Sequence, residues 1–116
     1  MEKFEVAAVA LSQVRFYDVL ARSNELVTHS DRSLVVEVWE ADEGTFEHHL
    51  PGEEVLFCLE GEERVEDLVT GQVEYVGAGD VLYYPEGSHV RVTYTKPFRA
   101  LIIQIAAAGV GTLEPA

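Results

Sequence analysis

The chain has 116 residues, 47% of them apolar, which is enough for one domain with a core and too few for two. Eight basic side chains stand against 21 acidic ones, a net charge of −13, so neither a phosphate backbone nor an anionic membrane surface is an expected partner. No apolar run approaches the ~18 residues of a membrane span, and acids at Glu2 and Glu5 argue against a secretory leader, so the expected location is cytoplasmic.

The first third mixes two periodicities. Apolar residues at 6, 9, 10 and 14 suit a helical turn, whereas Val14 and Phe16 alternate as in a strand. At least one strand is expected here, with a short helical turn. From residue 34 onward the pattern is clearer. Residues 34–40 read Leu-Val-Val-Glu-Val-Trp-Glu, with Val36 and Val38 on one face and Glu37 and Trp39 on the other. Residues 55–59, 72–76, 80–84, 89–94 and 99–105 are rich in Val, Ile, Tyr and Phe, the composition of strands. Glycines separate them. Gly61 follows one strand and precedes the polar start Glu62-Glu63-Arg64 of the next, Gly71 marks a hairpin tip, and Pro85-Glu86-Gly87 has the chemistry of a type II turn. Val55, Phe57 and Leu59 are expected in the core, with one of Val81 or Leu82 and one of Ile102 or Ile103. The tail 109–116 is expected to fray. The lone Cys58, between Phe57 and Leu59, reads as a small buried hydrophobe.

Two stretches stand apart: Gly44-Thr-Phe-Glu-His-His-Leu-Pro-Gly-Glu-Glu-Val-Leu-Phe-Cys-Leu-Glu-Gly61 and Gly79-Asp-Val-Leu-Tyr-Tyr-Pro-Glu-Gly87-Ser-His89. They resemble the two signature motifs of the cupin superfamily, G-x5-H-x-H-x3,4-E-x6-G and G-x5-P-x-G-x2-H-x3-N. Glu54-x6-Gly61 and Gly79-x5-Pro85-x-Gly87 match without gaps. Trp39-Glu40, Leu59-Glu60-Gly61, Gly77-Ala-Gly-Asp80 and Phe98-Arg99 extend the likeness to the ethanolamine-utilisation and ureidoglycine aminohydrolase-like small cupins. The resemblance implies an all-β fold, a small cupin-type β-barrel (a double-stranded β-helix, jelly-roll-like). It implies one domain over 1–116, with an N-terminal arm at 1–33, a barrel core at 34–105 and a tail at 106–116. Ethanolamine-utilisation relatives are linked to acetate kinase activity, but no G-x4-G-K-[ST] phosphate loop is present, so that activity is not carried over.

In metal cupins, histidines and a glutamate converge in the barrel lumen. The histidines here match only partly. With a four-residue spacer before Glu54 the paired positions are Glu47 and His49; with three they are His48 and Leu50. His89 falls one residue before the second-motif histidine position, which Val90 occupies. The resemblance therefore gives His49, Glu54 and His89, with His48 or Glu47, as candidates for a divalent iron, manganese, zinc or nickel ion, held weakly or not at all. Tyr84, Arg91 and Trp39 are secondary candidates for lining the pocket. Three functions are open: a cupin binding a small polar molecule, a metal-dependent isomerase, dioxygenase or hydrolase, and a structural cupin that dimerises. A homodimer is expected, with the apolar segment 6–11 as a strand edge needing a mate.

Overall fold

The computed structural model describes residues 1–115. After a short 3-10 turn at Val6–Ala8 come β1 (Ser12–Phe16), β2 (Val19–Thr28), β3 (Leu34–Ala41), β4 (Gly44–His49), β5 (Glu53–Glu60) and β6 (Glu62–Asp67). They are followed by β7 (Val73–Gly77), β8 (Val81–Tyr84), β9 (His89–Tyr94), β10 (Phe98–Ile105) and β11 (Glu114–Pro115). One sheet has seven strands in the order β11-β1-β2-β3-β10-β5-β8, and the other has four, β4-β9-β6-β7. Every pairing is antiparallel. The two sheets enclose a lumen, and the fold is a small all-β cupin.

Alternation along the strands decides what enters that lumen. In β3 the inward side chains are Val35, Glu37, Trp39 and Ala41, all buried. In β10 they are Phe98, Ala100 and Ile102; in β9, Val90, Val92 and Tyr94. Strand β5 departs from the sequence expectation. Leu56 and Cys58 are buried while Phe57 is 38% exposed, so the inward phase is Glu54-Leu56-Cys58 and not Val55-Phe57-Leu59. The inward position of Glu54 fixes this phase, because residues two apart share a face. Of the neighbouring pairs, Leu82 and Ile102 pack on the core, and Val81 is exposed.

Gly61 joins β5 to β6 at φ 85°, and a Cβ there would meet the Pro97 carbonyl oxygen at 2.2 Å. Only glycine relieves both demands.

Two terminal expectations are corrected. Segment 6–11 is not a strand edge: its carbonyls at Val6 and Ala10 accept hydrogen bonds from Arg99 Nη2 and Asn24 Nδ2, both 2.8 Å, which fold the arm against its own barrel. Nor does the tail fray through the described residues. Val110 is buried, Leu113 packs on the core, and β11 pairs with β1. Arg32 Nε donates to the Val110 carbonyl at 2.8 Å, and the Val110 amide donates back to the Arg32 carbonyl at 2.8 Å.

Candidate functional site: an acidic lumen

Between the sheets lies a cavity of about 380 Å³. Aromatic side chains form much of its wall: Phe16, Trp39, Phe46, Tyr84 and Tyr94. Phe16 meets Trp39 and Phe46 edge-on, with centroids 4.9 and 4.8 Å away. Trp39 Nε1 donates to Tyr94 Oη at 3.2 Å, which satisfies two polar groups that burial would otherwise strand. Tail residues 110–113 complete the wall.

Into this aromatic space come four glutamates, Glu25, Glu37, Glu54 and Glu63, and among the described residues no lysine or arginine lines it. Glu25 is matched from outside by Arg32, whose Nη2 lies 2.7 Å from its Oε2; Glu25 is held below the ordinary carboxylate range by that hydrogen bond. The other three are buried, at 6, 8 and 2% exposure for Glu37, Glu54 and Glu63. None of the three is in an ion pair among the described residues. Glu54 Oε1 accepts from Gln104 Nε2 at 3.3 Å. Among the described residues, Glu63 Oε1 has no hydrogen-bond partner.

Burial pushes Glu54 up to about 8, helped by the nearby charge of Glu37 and opposed by the Gln104 amide. Glu63 is pushed up to about 8 by burial and then by Glu54, and Glu37 to about 7 by burial and then by Glu25. Like charges sharing a water-poor space resist ionising together. Tyr84 and Tyr94, beside them, are raised well above the usual phenol value, chiefly by burial.

The histidines do not join this cluster. The inward phase of β4 carries Phe46 and His48, which corresponds to the three-residue spacing before Glu54. His48 Nδ1 bonds Tyr17 Oη at 3.0 Å, and burial holds the ring down at about 4, in its neutral form. His49 borders the cavity but is exposed, and its ring stacks on His89 across the β4–β9 pair with centroids 3.8 Å apart. That face also carries Glu47 and Arg91, whose Oε1 and Nη2 are 2.8 Å apart, with His89 Nε2 3.6 Å from Glu47 Oε2. The candidate set thus divides. Glu54, His48, Tyr84 and Trp39 line the lumen, as does His49 at its border; Glu47, His89 and Arg91 do not. No three His, Cys, Asp or Glu side chains among the described residues converge closely enough to hold a metal ion. The donor set that the cupin resemblance implies does not fit a divalent ion in this arrangement.

Sequence reasoning missed Glu37 and Glu63. Glu37 shares a face with Trp39, and Glu63 with Val65, so alternation carried the signal in both cases.

The family model for the EutQ-like cupin domain matches residues 28–100. No curated protein matches the sequence. Among solved structures, the chain is similar to the Clostridium difficile EutQ protein, with a TM-score of 0.78 and 19% identity over 90% of this chain and 86% of that one. It is also similar to a putative ethanolamine utilization protein Q from Salmonella typhimurium LT2, with a TM-score of 0.67 and 28% identity over 76% of this chain and 71% of that one. The polyketide cyclase RemF from Streptomyces resistomycificus aligns with a TM-score of 0.74 and 19% identity over 100% of this chain and 85% of that one.

Proposed function

The chain belongs to the EutQ-like cupin family, and we propose that it is a small-molecule-binding cupin whose ligand occupies the lumen between the sheets. The observation that carries this is Glu63 Oε1, a buried acceptor without a partner on the wall of a 380 Å³ cavity. An unsatisfied buried polar group costs about 1–3 kcal/mol, more if charged, and a bound molecule offering a donor would remove that cost. The space suits a small ligand, being near the lower end of ordinary pockets at about 300–1,000 Å³. Trp39, the only tryptophan, lines the cavity and reports occupancy directly. Titrating small cyclic compounds while following its fluorescence should give saturable changes that vanish when Val92→Trp fills the lumen, with the difference spectrum corrected for the added indole. Saturable changes that persist in the filled variant would place binding elsewhere and refute the reading.

The same reading extends to a homodimer in the cytoplasm. Phe57, Val81 and Tyr83 are 38, 63 and 52% exposed on β5 and the sheet-edge strand β8. In a chain of net charge −13, this apolar patch, which is bordered by Glu53 accepting from Tyr83 Oη at 2.9 Å, is a surface that a second copy would cover. A twofold mate would cover the patch with identical residues. The buried single thiol of Cys58 is compatible with a reducing compartment.

A further inference from the structure

We infer that the lumen selects a small organic cation, an ammonium group on a compact apolar body; this rests on the lumen being a ligand site. Three observations point the same way. First, among the described residues the lining has four carboxyl groups and no lysine or arginine, and of the four only Glu25 has a cationic partner. Three arginines are engaged elsewhere, Arg22 and Arg99 with Glu40 and Arg91 with Glu47 and Glu66, and Arg32 is taken up by Glu25 and the tail carbonyls. Second, Glu63 Oε1 is buried without a partner among the described residues, on the strand position paired with Tyr94. Third, aromatic rings form much of the wall, and a ring face attracts a cation through its quadrupole while the rings give an apolar body a surface to pack on.

The argument is one of charge balance. A buried carboxylate without a counterion is so costly that it holds a proton instead. An ammonium group supplies both the missing donor for Glu63 and the missing positive charge for the set. A neutral alcohol supplies only the donor. A carboxylate ligand adds a further buried negative charge and supplies no positive one.

Binding a cation also favours the ionised carboxyls, so protons leave as it enters. The groups facing this event are Glu37 from β3, Glu54 from β5, Glu63 from β6, Tyr84 from β8, Tyr94 from β9 and the neutral His48 from β4. Arg32 faces Glu25 at the border. Gln104 from β10 donates to Glu54 in either state. Affinity for the cation therefore rises as pH increases toward 8.

Three probes sharing a cyclohexyl body test the class: cyclohexylammonium, cyclohexanol and cyclohexanecarboxylate, titrated calorimetrically into the parent, Glu63→Gln and Glu37→Gln. The expected result is that cyclohexylammonium binds at least tenfold more tightly than cyclohexanol. It should release protons, seen as a heat that depends on the buffer's ionisation enthalpy. Glu63→Gln should weaken it at least tenfold and leave cyclohexanol unchanged; Glu37→Gln gives a second removal if the first variant melts early. If cyclohexanol binds as tightly as the ammonium, or the carboxyl variants bind it as the parent does, the cation class is overturned while the lumen site stands. If none of the three binds, the lumen reading falls with it.

Discussion

Trp39 and Tyr94 reach across the lumen from opposite sheets and meet at 3.2 Å, indole nitrogen to phenol oxygen. Both are buried, at 4% exposure each, so neither has water as an alternative partner. The bond fixes the spacing of the two sheets next to the acidic cluster. Tyr94→Phe keeps the ring and strands the indole N–H. It should destabilise the fold by about 1–3 kcal/mol, the cost of an unsatisfied buried donor. Urea unfolding of the two proteins checks this; an unchanged midpoint would show that the indole finds another acceptor.

The buried glutamates make stability fall toward alkaline pH. Against 4.5 for a free glutamate, Glu37 is raised to about 7 and Glu54 and Glu63 to about 8. The folded state keeps protons that the unfolded chain has lost. Their contribution is full below pH 4.5 and disappears as pH rises through the folded values. The melting temperature should therefore decline from about pH 4.5 to about 8, and Glu63→Gln should flatten that decline. The opposite slope belongs to Glu25, held low by Arg32, whose contribution is lost only in acid. A flat parent profile between about pH 4.5 and about 8 would contradict the buried placement of these carboxyls.

The stacked histidines are separable from the acidic cluster. His49 and His89 stack on the face that carries Glu47 and Arg91. His49→Ala and His89→Ala should each change stability by less than about 0.5 kcal/mol, the usual range for surface substitutions. They should leave the Trp39 fluorescence response to lumen probes unchanged. Loss of that response in either variant would put the histidines in the site after all.

Much of this architecture was legible from spacing. The glycine turns around Glu54 and Pro85, and the Val- and Ile-rich segments between them, correspond to β5 through β10. The family resemblance named the fold. Register was harder. Adjacent histidines at 48 and 49 cannot both face inward, and counting from Glu54 across the Pro51-Gly52 turn left two spacings open; the β4–β9 pairing selects His48. The phase of β5 was misread because its outer face, Val55 and Phe57, is as apolar as its inner one. The tail was misread because Gly109 and Gly111 look like fraying, whereas Arg32, far away in sequence, ties it down. Glu63 was hidden in a polar run, since composition alone does not tell a buried acid from a solvated one.

The exposed apolar face of β5 and β8 gives a prediction about assembly. Light scattering should return twice the 12.9 kDa of one chain at micromolar concentration. Phe57→Glu with Tyr83→Ser should give the single-chain mass with the melting temperature little changed, as these side chains are exposed. A parent that is already monomeric would remove the proposed interface.

The account stands most directly on what occupies the lumen, and a crystal structure of the protein soaked in cyclohexylammonium tests it. The predicted result is a ligand between the sheets, its nitrogen within hydrogen-bond distance of Glu63 Oε1 and its ring against Trp39 and Phe46. A lumen filled by collapsed side chains, or the probe bound only on the outer face beside Glu47 and His89, would contradict it.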